Sequence, residues 1–315
     1  MGYKIGSFNL CRLGMRSLAA NNKRDLSKIA NIIREEGFDV VALQEIFSEG
    51  KAITAVSENS TKYSIMRELG NDWDFKWADV DCRGDCRGEG YGYLWNTRRL
   101  KLAENNSGKI FEPRTWERNK KDLKRKPFYA RFVPVDGPFV ELRLVCVHTY
   151  YGDDNKDDRG IRKIEIDALR EHTYPEIADK RYGENRVAYT ILLGDYNAEV
   201  PRAEIEEQRK KQNEKRKKAG KTQIKTPLYI KEVVESNNGK YRGIKTVQTE
   251  LTTLCSGGDA EYAHSYDHFT YTEENFVKVV KKVGRIEAVR YCNNNFKDYL
   301  DRVSDHLPIV LEIEF

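Results

Sequence analysis

The chain has 315 residues, enough for one large two-layer α/β unit. With 39% hydrophobic residues and 18 Tyr, 12 Phe and 4 Trp, it can bury a core, which excludes a chain disordered throughout. Lys plus Arg is 55 against 50 Asp plus Glu, a net charge of +5 that suits a polyanionic partner without identifying one.

No run reaches about 18 consecutive apolar residues, so no membrane helix and no membrane partner is expected. The start, MGYKIGSFNL, has no charged region followed by a long apolar run and reads as a cytoplasmic chain. A secreted chain whose leader has been removed would begin in the same way. Lys4 to Leu10 is a strand ending near polar Asn9. Leu26, Ile29, Ala30, Ile32 and Ile33 recur at helical spacing, so the pattern predicts an amphipathic helix from Arg24 to Glu36, stopped by Gly37. The apolar run DVVALQEIF then delivers Gln44 and Glu45 at its far end, as site-bearing strands of α/β enzymes do.

Further strands are expected at Tyr91 to Trp95, Phe128 to Val133, and Val140 to Val147, the last ending at His148. A helix from Gly160 to His172 would bury Ile161, Ile164, Ala168 and Leu169. Ala188 to Leu193 is a strand followed by Gly194, Asp195, Tyr196 and Asn197. Late strands fall near Ser265 to Thr270 and Pro308 to Phe315.

The segment Arg209 to Lys221, RKKQNEKRKKAGK, holds eight basic residues and one acidic residue and has no apolar face. It reads as an exposed helix or flexible arm, either simply solvated or in contact with nucleic acid. The six cysteines are Cys11, Cys82, Cys86, Cys146, Cys255 and Cys292. Free thiols are the expectation. Cys82 and Cys86 are close enough in sequence that a disulfide or a metal pair stays open.

Acidic, amide or imidazole side chains stand at many strand ends: Asn9, Glu45, His148, Asp195 with Asn197, Asp267, and Asp305 with His306. Singly, each reads as a turn former or surface residue. Jointly they form a set of oxygen donors with two imidazoles, suited to a hard divalent cation and acid–base chemistry. The ordered motifs SFNL, LQE, EGYGYLW, VHTYYG, LLGDYNA, SYDHFTY and SDHLPIV resemble the endonuclease/exonuclease/phosphatase superfamily, and within it the deoxyribonuclease I family. The resemblance spans almost the whole chain and is weakest from about Pro201 to Thr246, around the basic segment.

That resemblance implies a four-layer α/β/β/α sandwich of two mainly antiparallel sheets flanked by helices. It implies a single domain over residues 1–315, with a basic insertion at about 201–246. It implies a divalent-metal-dependent DNA endonuclease using Mg²⁺ or Mn²⁺, with Ca²⁺ as a further candidate. Glu45 would be the chief metal ligand, with Asn9 and Asp305 beside it and Asp195 and Asn197 flanking the phosphate. His306, paired with Asp267, would deprotonate the attacking water. His148, paired with Glu89, would serve the leaving oxygen or the phosphate. Arg131, in RKPFYARF, would hold the phosphate. Where the family places an arginine and a tyrosine in the DNA minor groove, this chain has Phe47 and Arg87. Phe47 could stack on a base or wedge into a step, and Arg87 could enter a narrow groove. Lys210, Lys211, Arg216 and Lys217 are the further DNA-contact candidates, with RNA as an alternative substrate and a monomer assumed. Two other readings stay open: a phosphatase or phosphodiesterase of the same superfamily acting on lipid or inositol phosphate, and an inactive binding module. The second fits poorly with the retention of Glu45, His148 and His306.

Overall fold

The computed structural model describes residues 1–14, 24–47, 64–79, 89–105, 107–116, 123–182, 186–248, 250–255, 259 and 261–315. Its strands are β1 (Gly2–Leu13), β2 (Val40–Ile46), β3 (Trp73–Asp79), β4 (Gly90–Asn96), β5 (Leu100–Leu102), β6 (Arg114–Thr115), β7 (Phe128–Pro134), β8 (Val140–His148), β9 (Val187–Asp195), β10 (Val233–Val234), β11 (Ile244–Gln248), β12 (Asp267–Thr272), β13 (Val280–Arg285) and β14 (Ile309–Glu314). One sheet has the order β13-β14-β1-β2-β4-β3. The other runs β10-β11-β12-β9-β8-β7-β5, with β6 pairing β7. Only β1–β2 and β8–β9 pair in parallel among the described ladders.

The sheets pack face to face through Tyr3, Ile5, Tyr93, Phe128, Phe132, Leu144, Ile191 and Phe269, all buried. Behind the first sheet lies α1 (Leu26–Glu35), capped by Asp25, whose carboxylate accepts from Lys28 N; the short α2 (Ile65–Leu69) follows it. Behind the second sheet lie α3 (Lys156–Ala168), continued by a π-helical turn to Thr173, and α4 (Tyr174–Ala178). This is the four-layer sandwich expected from the sequence. Each sheet buries both faces, one on its partner and one under helices, which is why strands such as VVALQEI and VELRLVCVH are apolar almost throughout.

Two expectations are corrected. Helix α3 does not bury Ile164, which is 56% exposed; it buries Arg162 and Glu165 instead. These charged groups are tolerated because backbone partners saturate them, as described below. The basic segment takes the helical alternative and not the flexible arm, and is exposed over most but not all of its length. It folds into α5 (Ala203–Lys218), which buries Arg209 and Arg216. Arg209 pairs with Glu199 at 2.6 Å, and Arg216 with Asp259 and Glu261 at 2.8 and 2.9 Å. A helix with no apolar face docks here through the buried Arg209–Glu199 pair and the part-buried pairs of Arg216. Among the described residues no helix is long and apolar enough to cross a membrane. Cys11, Cys146, Cys255 and Cys292 are free thiols, while Cys82 and Cys86 lie outside the described residues.

Candidate active site

Strand register assembles the polar residues. In the second sheet His148 stands beside Asp195, and Asp195 beside Asp267, so the ends of β8 and β9 and the start of β12 form one row of ionisable groups. In the first sheet Asn9 pairs with Gln44, next to Glu45. The rows meet at Asn9, whose amide donates to Glu45 Oε1 and to Asp195 Oδ2, each at 3.1 Å.

The backbone departs from regular strand geometry where these groups are delivered. Glu45 sits at φ 55° where the β2–β4 register shifts; Cys11 and Arg12 sit at φ 44° and 62° where the β1–β2 register shifts. Such bulges re-aim side chains, and each left-handed non-glycine residue costs about 1–3 kcal/mol, supplied here by the surrounding core. Gly194 meets a harder limit. At φ +148°, a Cβ there would lie 1.9 Å from the Val147 carbonyl oxygen, so only glycine lets β9 approach β8 closely enough to seat Asp195 beside His148.

Each catalytic-type imidazole is held by a carboxylate. His148 Nδ1 lies 2.6 Å from Glu89 Oε1, and His306 Nδ1 lies 2.9 Å from Asp267 Oδ2. The free Nε2 atoms of both rings point at one atom, Asp195 Oδ2, each from 3.6 Å. His148 Nε2 also lies 3.8 Å from Glu45 Oε1. Thr252 donates to Asp267 Oδ2 at 2.7 Å, and Ser304 fixes the His306 turn by donating to Asn9 O and accepting from His306 N.

Burial lowers the pKa of His148, and Arg125 adds to this, yet the Glu89 and Asp195 charges prevail and the net shift is upward. For His306 burial is again outweighed, by Asp267 and Asp195, and the pKa lies well above its ordinary value. Glu45 is pushed up by burial and by the charges of Glu89 and Asp305, against the pull of His148. Asp195 is raised by burial against the pull of both imidazoles. His268, beside Asp267 in sequence, is a structural histidine: its Nε2 donates to the Ala198 carbonyl, and burial lowers its pKa.

A cation fits this cluster. The Asp305 charge adds to the cost of ionising the buried Glu45, and the buried Asp305 Oδ1 has no hydrogen-bond partner among the described residues. The donors are oxygens, which suits a hard divalent ion. Among the described residues no three His, Cys, Asp or Glu side chains converge as a complete cage. Mg²⁺ needs none, since it keeps several waters and takes one or two carboxylates.

Other expectations fare differently. Asn197, at φ 48°, donates its amide to Thr149 O at 3.0 Å, and its backbone N–H donates to Asp195 Oδ1 at 2.8 Å, so it braces the loop as well as lining the cleft. Arg131 does not reach the cleft. It is 1% exposed, bonds Glu141 through Nε at 3.0 Å, and stacks on the Tyr182 ring. The arginine of the RKPFYARF stretch that does reach the site is Arg125, 2.9 Å from Glu89 Oε2. Phe47 lines the cleft but is 7% exposed, which leaves no ring free to wedge into DNA. Arg87 lies outside the described residues. Lys210, Lys211 and Lys217 are exposed on α5, away from the cleft; Lys211 pairs with Glu207, and Lys210 and Lys217 border a second hollow with Glu206 and Glu214. Arg216 does line the cleft, with its charge already paired.

Sequence reasoning also missed the residues that hold the site's loops. Arg162 is wholly buried; it donates to the carbonyls of Tyr150 (2.9 Å), Tyr151 (2.7 Å) and Asn197 (2.7 Å) and to Asp154 Oδ1 (3.0 Å). It thereby ties the loop after His148 to the loop after Asp195. Glu165, one turn on, accepts from the backbone N–H groups of Lys124, Arg125 and Tyr150. Their only sequence signal was a charge at helical spacing on a face that also carried apolar residues. The resulting cleft has a volume of about 660 Å³ and brings together Glu45, Glu89, Arg125, His148, Asp195, Asn197, Asp305 and His306.

The family model for the Endonuclease/Exonuclease/phosphatase family matches residues 6–306. The chain belongs to that family. Members of the endonuclease/exonuclease/phosphatase family are phosphoesterases that generally use divalent metals. No curated protein matches this sequence. Among solved structures of the family fold, truncated Caenorhabditis elegans TDP2 aligns over 100% of this chain and 98% of its own, with 14% identity and a TM-score of 0.55. ANGEL2, a 2',3'-cyclic phosphatase, aligns over 99% of this chain and 95% of its own, with 14% identity and a TM-score of 0.54. A Bacteroides thetaiotaomicron mannosyl-6-phosphatase aligns over 99% and 100%, with 15% identity and a TM-score of 0.52. At such identities the likeness is one of fold.

Proposed function

We propose that the protein is a divalent-metal-dependent nuclease that hydrolyses DNA phosphodiester bonds. The observation that carries this reading is the pair of carboxylate-backed imidazoles aimed at Asp195 Oδ2, beside Glu45 and Asp305. A phosphodiester is anionic and its leaving alkoxide is poor, so the site must hold negative charge and move protons on both sides of phosphorus.

His306 takes the proton of the attacking water on Nε2, while Asp267 holds its Nδ1–H and stabilises the imidazolium that forms. His148, charged through Glu89, faces the phosphate and delivers a proton to the leaving oxygen. Asp195 orients the water and both rings. Glu45 and Asp305, with Asn9 as neighbour, would hold a divalent cation whose positive charge would offset that of the surrounding carboxylates, ease loss of the proton from His306 Nε2, and polarise the phosphoester. Arg125 supports Glu89 and adds positive potential to the cleft. The choice of DNA rests on the net positive charge, on the cleft cations Arg12, Arg125 and Lys225, and on the resemblance of the motifs.

The test is hydrolysis of plasmid, single-stranded DNA, RNA, a phosphomonoester and a 2',3'-cyclic nucleotide with Mg²⁺, Mn²⁺, Ca²⁺ or chelator. Metal-dependent DNA cleavage that is lost in Glu45→Gln is the expected result. Cleavage of the monoester or cyclic ester alone would replace the DNA reading, and full activity in chelator would overturn the metal.

A further inference from the structure

We propose that Arg12 binds substrate: the strained turn at Cys11 and Arg12 holds its guanidinium on the phosphate carried by the leaving fragment of the DNA. This rests on the DNA-hydrolase reading above and names a contact beyond the scissile phosphate.

Strand β1 runs in register with β2 as far as Asn9 and rejoins it at Leu13. In the gap Cys11 and Arg12 take φ 44° and 62°, two left-handed residues in succession, neither of them glycine. The Cβ makes that conformation costly, and it persists only where the surroundings over-determine it. They do so here. The Cys11 N–H donates to Asn9 Oδ1 at 2.9 Å, and the Cys11 carbonyl accepts from Arg24 Nη2 at 2.9 Å. Arg24 is itself anchored on the Leu300 carbonyl at 2.8 Å. On the other side Leu13 is buried, pairs with Ile46 and accepts from Phe47 N.

What the turn delivers is one side chain. Leu10 and Leu13 are buried, whereas Arg12 is exposed and lines the cleft with His148 and His306. Arg125 and Arg216 line it too, but Arg125 is committed to Glu89, and Arg216 to Asp259 and Glu261. Arg12 has no ion pair among the described residues.

Its place in the sheet sets which side of the site it serves. Leu13, Ile46 and Gly90 lie in one row across β1, β2 and β4. The residues just before them are Arg12, Glu45 and Glu89, so Arg12 belongs to the rim that carries both carboxylates. Burial raises the Glu89 carboxyl, but His148, Arg125 and Arg12 outweigh this and hold it below its ordinary range. Glu89 in turn backs His148, the imidazole that serves the leaving oxygen. A guanidinium on that side offers two parallel N–H groups to the oxygens of the next phosphate along the leaving fragment.

The experiment measures kcat and KM with Mn²⁺ on a single-stranded oligonucleotide and on bis(p-nitrophenyl) phosphate, whose leaving group carries no phosphate. Arg12→Ala should raise the oligonucleotide KM about tenfold, the range for one charge-assisted contact, and lower the ratio of oligonucleotide to small-diester kcat/KM by a similar factor. It should flatten the log–log salt dependence on the oligonucleotide by about 0.7. Arg12→Lys should regain that slope and only part of the KM, since an ammonium lacks the fork. Dinucleotides bearing a terminal phosphate on the 5′ or the 3′ side identify the fragment: the parent should gain from the phosphate that departs with the leaving group, and Arg12→Ala should lose that gain. Arg12→Gly should melt above Arg12→Ala, because both lack the side chain and only glycine relieves the backbone. A folded Arg12→Ala variant with the parental ratio, a gain from the other fragment's phosphate, or a Gly variant melting no higher than the Ala variant would each overturn the inference. Hydrolysis of the small diester without cleavage of DNA would overturn the DNA reading and this inference with it. Inertness toward both would overturn the catalytic reading, and the inference falls with that too.

Discussion

Replacing Arg162 with Met tests whether a buried charge outside the reacting atoms sets the geometry of the site. The volume is nearly kept and the guanidinium is lost. Three backbone carbonyls then lose their donor, that of Asn197 in a buried setting and those of Tyr150 and Tyr151 in part-buried ones, while Asp154 keeps Arg159 at 2.7 Å. At about 1–2 kcal/mol for each orphaned carbonyl, the loss is about 3–6 kcal/mol. Unfolding entropy of about 2.1 cal/mol/K per residue over 315 residues is about 0.7 kcal/mol/K, so Tm should fall by about 4–9 °C. These carbonyls belong to the loops that follow His148 and carry Asn197, and misplacement by about 1 Å costs on the order of 10²-fold in rate. Calorimetry and single-turnover cleavage well below the lowered Tm measure the two effects separately. Arg162→Lys, which cannot span all three carbonyls, should recover part of the stability and little of the rate. A Met variant within about 0.5 kcal/mol of the parent, or one destabilised as expected but with a normal turnover rate, would refute the argument.

Other perturbations give sharp outcomes. His148→Ala and His306→Ala should each lower kcat by about 10²- to 10⁴-fold, and a rate within tenfold of the parent for either would remove that imidazole from proton transfer. Gly194→Ala should cost about 3 kcal/mol or more and cripple cleavage, because the Val147 carbonyl must retreat from the new Cβ; chemical denaturation gives the cost, and a neutral result would discount the close approach of β8 and β9. Burial raises the Glu199 carboxyl, but its bonds to His264 and Arg209 outweigh this and hold it below the ordinary 4.5. Its stabilising contribution is therefore complete above that ordinary value and lost as pH falls through the lower folded value. Glu199→Gln should destabilise by about 3 kcal/mol at pH 7, from the orphaned Arg209, and show a flatter loss of stability in acid; parallel urea midpoints from pH 7 to pH 3 would contradict this.

The sequence by itself determined the sandwich and most of the site. The ordered motifs implied the sandwich through the resemblance, apolar strands ending near Asn9, Glu45, His148 and Asp195 pointed to where polar groups gather, and α1 follows from its apolar spacing. What the tertiary structure decided were long-range partnerships, which local pattern cannot express. Arg131 faces Arg143 across the β7–β8 ladder, and Glu141 holds both, so its charge is consumed inside the sandwich while Arg125, at the strand's approach, reaches Glu89. Helix α3 buries Arg162 and Glu165 in place of Ile164 because unpaired backbone groups of the catalytic loops lie beneath it. The basic run looked like solvated charge because its partners, Glu199, Asp259 and Glu261, are distant in sequence or belong to other loops. Burial of Arg209 and Arg216 against them turns the run into a wall of the cleft, since a paired charge can leave water at a cost that an unpaired one cannot meet.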